Sequence, residues 1–161
     1  MTVIHKALGL TAAAAILACA APVAAQDTNA DPNYGTMSLS AGFPNDPRVV
    51  SLRAGGDIPA SNAASGCSGF ITNAPDVRLN YTGGTGVLPL IISVDSGSDT
   101  TLIVNAPDGR WYCDDDGGVN GMNPAVRFNN PRGGRYEIWV GTYRAGSSQP
   151  ARLYVSEVSS Q

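Results

Sequence analysis

The chain has 161 residues, with 10 lysines and arginines against 13 aspartates and glutamates, a net charge of −3. This mildly acidic balance, without a basic cluster, argues against nucleic acid as a partner. With 19 glycines and 11 prolines, the composition excludes a bundle of long helices and favours short strands joined by many turns.

Residues 1–25 read as a secretory signal peptide. MTVIHK is a basic start, ALGLTAAAAILACA is an apolar run, and Val23 and Ala25 are the small residues before a cut that leaves Gln26 first. The apolar run is shorter than the ~20 residues of a spanning helix, and no later segment is long enough. No transmembrane segment is therefore expected in the mature chain, and the expected location is periplasmic or secreted. A competing expectation is a lipoprotein, because Ile16-Leu17-Ala18-Cys19 resembles a lipidation box with Leu17 out of pattern. From Gln26 onward 136 residues remain, which suits one domain of the usual ~100–150 residues. The single histidine, His5, and the single lysine, Lys6, leave with the leader. Nine arginines then face 13 acids, a net charge of −4. Two cysteines remain, Cys67 and Cys113, and in an exported chain they are expected to pair. Two free thiols are the alternative. The loop so closed spans about 46 residues, for which chain entropy gives roughly 4 kcal/mol.

In chain order, QDTNADPNY (26–34) is polar and aperiodic and reads as a flexible lead-in. Residues 35–161 read as a single β domain. GTMSLSAGF and RVVSLRAGG are the first strand-like runs, and GGDIPASNAASG is a small-residue loop leading to Cys67. VRLNYT, LPLIISVD, TTLIVNA, RWYC, AVRFN, RYEIWVGTY and ARLYVSEV follow. Val77-Leu79-Tyr81, Val126-Phe128 and Tyr136-Ile138-Val140 alternate with period two, the signature of a strand with one buried face. Ala106-Pro107-Asp108-Gly109-Arg110 has the chemistry of a tight turn: proline presets φ, aspartate caps, glycine takes positive φ. It predicts a hairpin between TTLIVNA and RWYC. Asn130-Pro131-Arg132-Gly133-Gly134 predicts a second, between AVRFN and RYEIWVGTY. The last run is expected inside a sheet. Many short strands and no helical periodicity imply an all-β sandwich or barrel, with antiparallel sheets because no helices cover a parallel one.

The chemistry narrows by exclusion. Without histidine or lysine there is no base for a serine or cysteine nucleophile of the usual kinds, and zinc ligands are lacking. A carboxylate-based hydrolase needs two acids flanking a cleft. The two glutamates, Glu137 and Glu157, sit in strand-like runs, where an exposed strand face accounts for them. The acidic stretch Asp114-Asp115-Asp116, followed by GGVNGMN, offers oxygen ligands suited to calcium. Asn120 lies within it, and Asp99 precedes the strand expected to pair with RWYC. The alternative is an ordinary turn, since aspartate and glycine make turns. Among the aromatics, Trp111 and Tyr112 must point to opposite faces of their strand. Trp139 falls out of phase with Tyr136, Ile138 and Val140, on the face of Glu137 and Gly141. Trp139 and Trp111 are thus candidates for a ligand surface, or for packing under a loop.

The run DTTLIVNAPDGRWYCDDDGG, then NPAVRFNNPRGGRYEIWVGTY, resembles the bacterial pre-peptidase C-terminal (PPC) domain family. The matching features are Asp99, Pro107-Asp108-Gly109, Asp114 to Gly118, Asn123-Pro124 and the G-x-Y-x-I-x-V strand from Gly134 to Tyr143. They span about Leu88 to Val158, roughly half of the mature chain. The resemblance implies a jelly-roll-like β-sandwich. It also implies an exported, non-catalytic module that in some relatives binds calcium or a polymer. This chain departs from that pattern in having no peptidase domain beside the module. The expected function is an exported binding module for a polymer or protein partner, with calcium as the one expected cofactor. The rivals are a structural or interaction protein of the envelope without metal, and a carboxylate-based hydrolase.

Overall fold

The computed structural model describes residues 26–83 and 88–161. Residues 1–25, read from the sequence as a signal peptide, lie outside the described residues, and Cys19 with them. Among the described residues eleven strands follow one another: β1 (Thr36–Ser40), β2 (Arg48–Gly55), β3 (Ile58–Pro59), β4 (Phe70–Ile71), β5 (Val77–Thr82), β6 (Leu90–Asp95), β7 (Thr100–Asn105), β8 (Trp111–Asp114), β9 (Ala125–Phe128), β10 (Gly134–Thr142) and β11 (Ser148–Ser156). A short 3₁₀ turn at Ala60–Asn62 follows β3. No helix among the described residues is long and apolar enough to cross a membrane.

The strands form two packed sheets, a single all-β sandwich as expected. In the first, β10 is the central strand. Ile138 lies between Val77 of β5 and Val104 of β7, and Thr142 between Phe70 of β4 and Thr100 of β7. So β5 and β4 succeed each other along one flank of β10, and β7 then β8 occupy the other. The second sheet has the order β2-β11-β6-β9, and the last strand is indeed interior.

Two expectations need correction. The sheets are not antiparallel throughout, because β1 runs parallel to β5 from Thr36 opposite Arg78 to Ser40 opposite Thr82. A parallel neighbour requires a long connection, and residues 41–76, which visit both sheets, supply it. The Asn130–Gly134 turn is not a hairpin either. β9 belongs to the second sheet and β10 to the first, so this turn carries the chain across the sandwich. The Pro107-Asp108-Gly109 hairpin forms as read. Gly109 has φ 76°, its amide donates to the Ala106 carbonyl at 2.8 Å, and Asp108 Oδ1 caps the Arg110 amide at 3.1 Å.

The period-two faces close the main core. Leu79, Tyr81, Leu102, Val104, Tyr136 and Ile138 of the first sheet meet Leu52, Leu90, Ile92, Leu153 and Val155 of the second. A second cluster lies on the outer face of the first sheet. There Ala60, Cys67 and Ile71 cover Ile103 and Trp139.

Residues 26–34, read from the sequence as flexible, are docked. Backbone amides of Asp27, Asn33 and Tyr34 donate to the carbonyls of Asn73, Pro75 and Asp76, and Arg78 reaches the carbonyls of Thr28 and Ala30. The segment lacks periodicity because its own carbonyls and amides hold it, not an apolar face.

Candidate functional site

The acidic turn folds around its first member. Asp114 ends β8, and its Oδ2 accepts the amides of Gly117 at 2.7 Å and Ala125 at 2.8 Å. This is the capping use that short acidic side chains find in turns. Asp115 and Asp116 follow it toward solvent. Asn120 donates to Asp95 Oδ1 at 3.1 Å, not to a neighbouring aspartate. Asp99 lies exposed in the loop between β6 and β7. Among the described residues, no three histidine, cysteine, aspartate or glutamate side chains converge as a metal would require.

The tryptophans do not form an open surface. Trp139 is fully buried and Trp111 is half-buried against it, with ring centroids 5.3 Å apart. The cover is the 56–69 loop, tied down by the Cys67–Cys113 disulfide, whose Cα atoms are 5.4 Å apart. The sequence placed Trp139 on the correct face, but a covering loop has no periodic signature. The opposite placement of Trp111 and Tyr112 holds: Tyr112 packs inward on Phe128, centroids 4.9 Å apart.

Neither glutamate is on an exposed face. Glu137 is buried beneath the lead-in and pairs with Arg78 at 2.6 Å and Arg135 at 2.9 Å. Burial raises its carboxyl pKa, and the two guanidinium groups oppose that rise. Glu157 accepts the Tyr81 hydroxyl at 2.8 Å and the Gly42 amide at 2.8 Å. Both carboxylates thus tie distant segments together.

Two concavities flank the β10–β11 loop. One is a cleft of about 610 Å³ at the tip of the sandwich, lined by Asp99, Met122, Tyr143, Arg144 and Gln149 among others. Tyr143 is 59% and Met122 55% exposed. The cleft is assembled from three loops, after β6, β8 and β10. The acidic stretch contributes through Met122, whose carbonyl accepts the Thr100 amide at 3.1 Å. The other is an open groove of about 330 Å³, lined by Asn33, Arg53, Asp57, Thr72, Asp76 and Ser147 among others.

Asp76 forms the inner wall of that groove and is 1% exposed. It lies where β4 and β5 leave a gap along β10. Its Oδ2 accepts the Val140 amide at 2.7 Å, replacing the missing strand partner, and its Oδ1 accepts Asn33 Nδ2 at 3.1 Å. Burial pushes this carboxyl up to about 7, against the pull of those two hydrogen bonds. Sequence reasoning missed Met122, Arg144, Asp57 and Asp76 as a set. They sit in four separate loops, and only the sheet order brings them to one end.

No family model matches the chain, and no curated protein matches it. Among solved structures it is similar to PliG of Aeromonas hydrophila, a periplasmic lysozyme inhibitor of g-type lysozyme. The identity is 18%, over 79% of this chain and 98% of that chain, with a TM-score of 0.36.

Proposed function

We propose that this chain is an exported, non-catalytic module that binds a protein partner through the loops at the tip of its sandwich. The tip cleft carries the reading. It sets an exposed aromatic and an exposed methionine beside Asp99 and Arg144, the mixture of apolar anchors and charged rim found in protein interfaces. Loops raised on a rigid β framework are a common place for such sites. The disulfide and the leader sequence support export to an oxidising compartment. The absence of a histidine or lysine after residue 25, with both glutamates engaged in packing contacts, supports binding over catalysis.

The test uses residues 26–161 as immobilised bait against envelope extract and spent medium. A partner retained by the native protein should be held about tenfold more weakly by the Met122→Ser/Tyr143→Ser variant, as for loss of interface anchors. The variant's unfolding midpoint should stay unchanged. Equal retention by both proteins would remove the tip from the reading.

Calcium belongs to this proposal only as a stabiliser of the acidic turn, through Asp115, Asp116 and oxygens nearby. Binding to the native state alone adds about 2.7 kcal/mol at 100-fold over Kd, a shift of several degrees at this size. Unfolding curves with excess calcium and with chelator should then separate, and Asp115→Asn/Asp116→Asn should merge them. Coincident curves for the unmodified chain would leave the stretch as a turn held by Asp114.

A further inference from the structure

The groove on the other side of the β10–β11 loop holds a buried carboxylate without a counter-charge. Among the described residues no arginine lies within ion-pair distance of Asp76; the ion pairs present are Arg78 and Arg135 with Glu137, Arg110 with Asp108, and Arg152 with Asp95. A buried carboxylate with only neutral donors is costly to ionise. The same groove carries a second carboxylate, exposed Asp57, and one cation, Arg53. Arg53 is already committed along its own sheet: Nε donates to Ser148 Oγ at 2.8 Å and Nη2 to the Ser148 carbonyl. The lining thus holds two carboxylates, one of them buried and accepting from Val140 and Asn33, against one occupied guanidinium. Asn33, Thr72 and glycines 55, 56 and 146 are also part of the lining. The wall is tight at Gly55, which has φ 128° and where a Cβ would fall 1.9 Å from the Ser147 carbonyl oxygen.

We propose that this groove receives the cationic end of a lysine or arginine side chain from the partner protein, with Asp76 at its inner wall and Asp57 at its rim. A volume of about 330 Å³ is at the lower end of ligand-sized pockets, roughly 300–1,000 Å³, and suits a side-chain end better than a whole ligand. The groove and the tip cleft share Ser147, so one partner straddling the β10–β11 loop reaches both. The source of the cation rests on the binding-module reading; the cation site itself does not.

The experiment titrates residues 26–161 at pH 8 with methylguanidinium and methylammonium, against sodium at matched ionic strength, following backbone amide resonances. Saturable shifts at Gly55, Gly56 and Ser147 are expected in the native chain. They should be lost in Asp76→Asn and weakened about tenfold in Asp57→Asn, the scale of one charge-assisted hydrogen bond. Asp57 is exposed, so its variant serves even where Asp76→Asn fails to fold. No saturable response, or equal responses in the native chain and both variants, overturns the site. Retention of the partner should also fall in Asp57→Asn. Unchanged retention overturns the partner as the source of the cation, whereas failure of the tip reading shows only in the Met122/Tyr143 variant.

Discussion

Asp76 stands in for a strand. Where β5 has ended and β4 has not begun, its carboxylate accepts the Val140 amide that a neighbouring backbone would otherwise take. Its ordinary carboxyl pKa of 3.8 rises to about 7 on folding, chiefly through burial. The folded state therefore binds a proton more readily than the unfolded chain. The stability this contributes is full below about pH 3.8 and is lost as pH rises through about 7. Between pH 5 and pH 8 the loss is about 2–3 kcal/mol, since a tenfold difference in proton affinity between the folded and unfolded chains is worth ~1.4 kcal/mol. Urea unfolding at the two pH values should show it. Asp76→Asn keeps an oxygen for Val140 and should flatten most of the slope, leaving the smaller contribution of Glu137, which is raised in the same direction. Parallel profiles for the two proteins would refute the assignment. None of this was legible in the sequence: Ala-Pro-Asp-Val reads as a turn before a strand, and nothing local tells that the aspartate faces inward.

At the scale of elements, the 56–69 segment is the clearest case of a part clamped by a covalent bond. β3 pairs it with β4 at its start and the Ala60 amide donates to the Gly69 carbonyl, while Cys67 on Cys113 fixes its far end above Trp139 and Trp111. Removing the disulfide as Cys67→Ser/Cys113→Ser should cost roughly 4 kcal/mol by the loop-entropy relation. Hydrogen exchange should localise the effect. Amides of residues 60–69 should lose more protection than those of β6, β7 and β10, whose loss stays at the global figure, and tryptophan emission should move toward that of a hydrated indole. Uniform loss across the sandwich would mean that the loop is part of the cooperative core instead. The individual strands and the Pro107-Asp108-Gly109 hairpin could be read from the sequence because period two and turn chemistry are local properties. The pairing of Cys67 with Cys113 followed from counting. The cover over Trp139 did not, because small residues such as those of GGDIPASNAASG pack through close approach and leave no hydrophobic rhythm.

At the scale of the molecule, an all-β sandwich followed from the number of strands and the lack of helical periodicity, but the assignment of strands to sheets did not. Along the chain, β6 lies in the second sheet, β7 and β8 in the first, β9 in the second, β10 in the first and β11 in the second. A turn such as Asn130–Gly134 has the same composition whether it folds back beside its neighbour or steps across the core, so the sequence reads both as hairpins. That stepping also gathers Asp99, Met122 and Tyr143 at one tip and sets the β10–β11 loop between cleft and groove. It has a further consequence for timing. The two strands at the centre of the sheets, β10 between β5 and β7 and β11 between β2 and β6, are the last to emerge during synthesis. Until they arrive, β5, β7, β2 and β6 lack their shared partners, and neither sheet can close. Pairings so distant in sequence form slowly. Until β10 and β11 are free to pair, the chain therefore holds neither sheet, and the release of these two strands sets the moment at which the whole sandwich can fold.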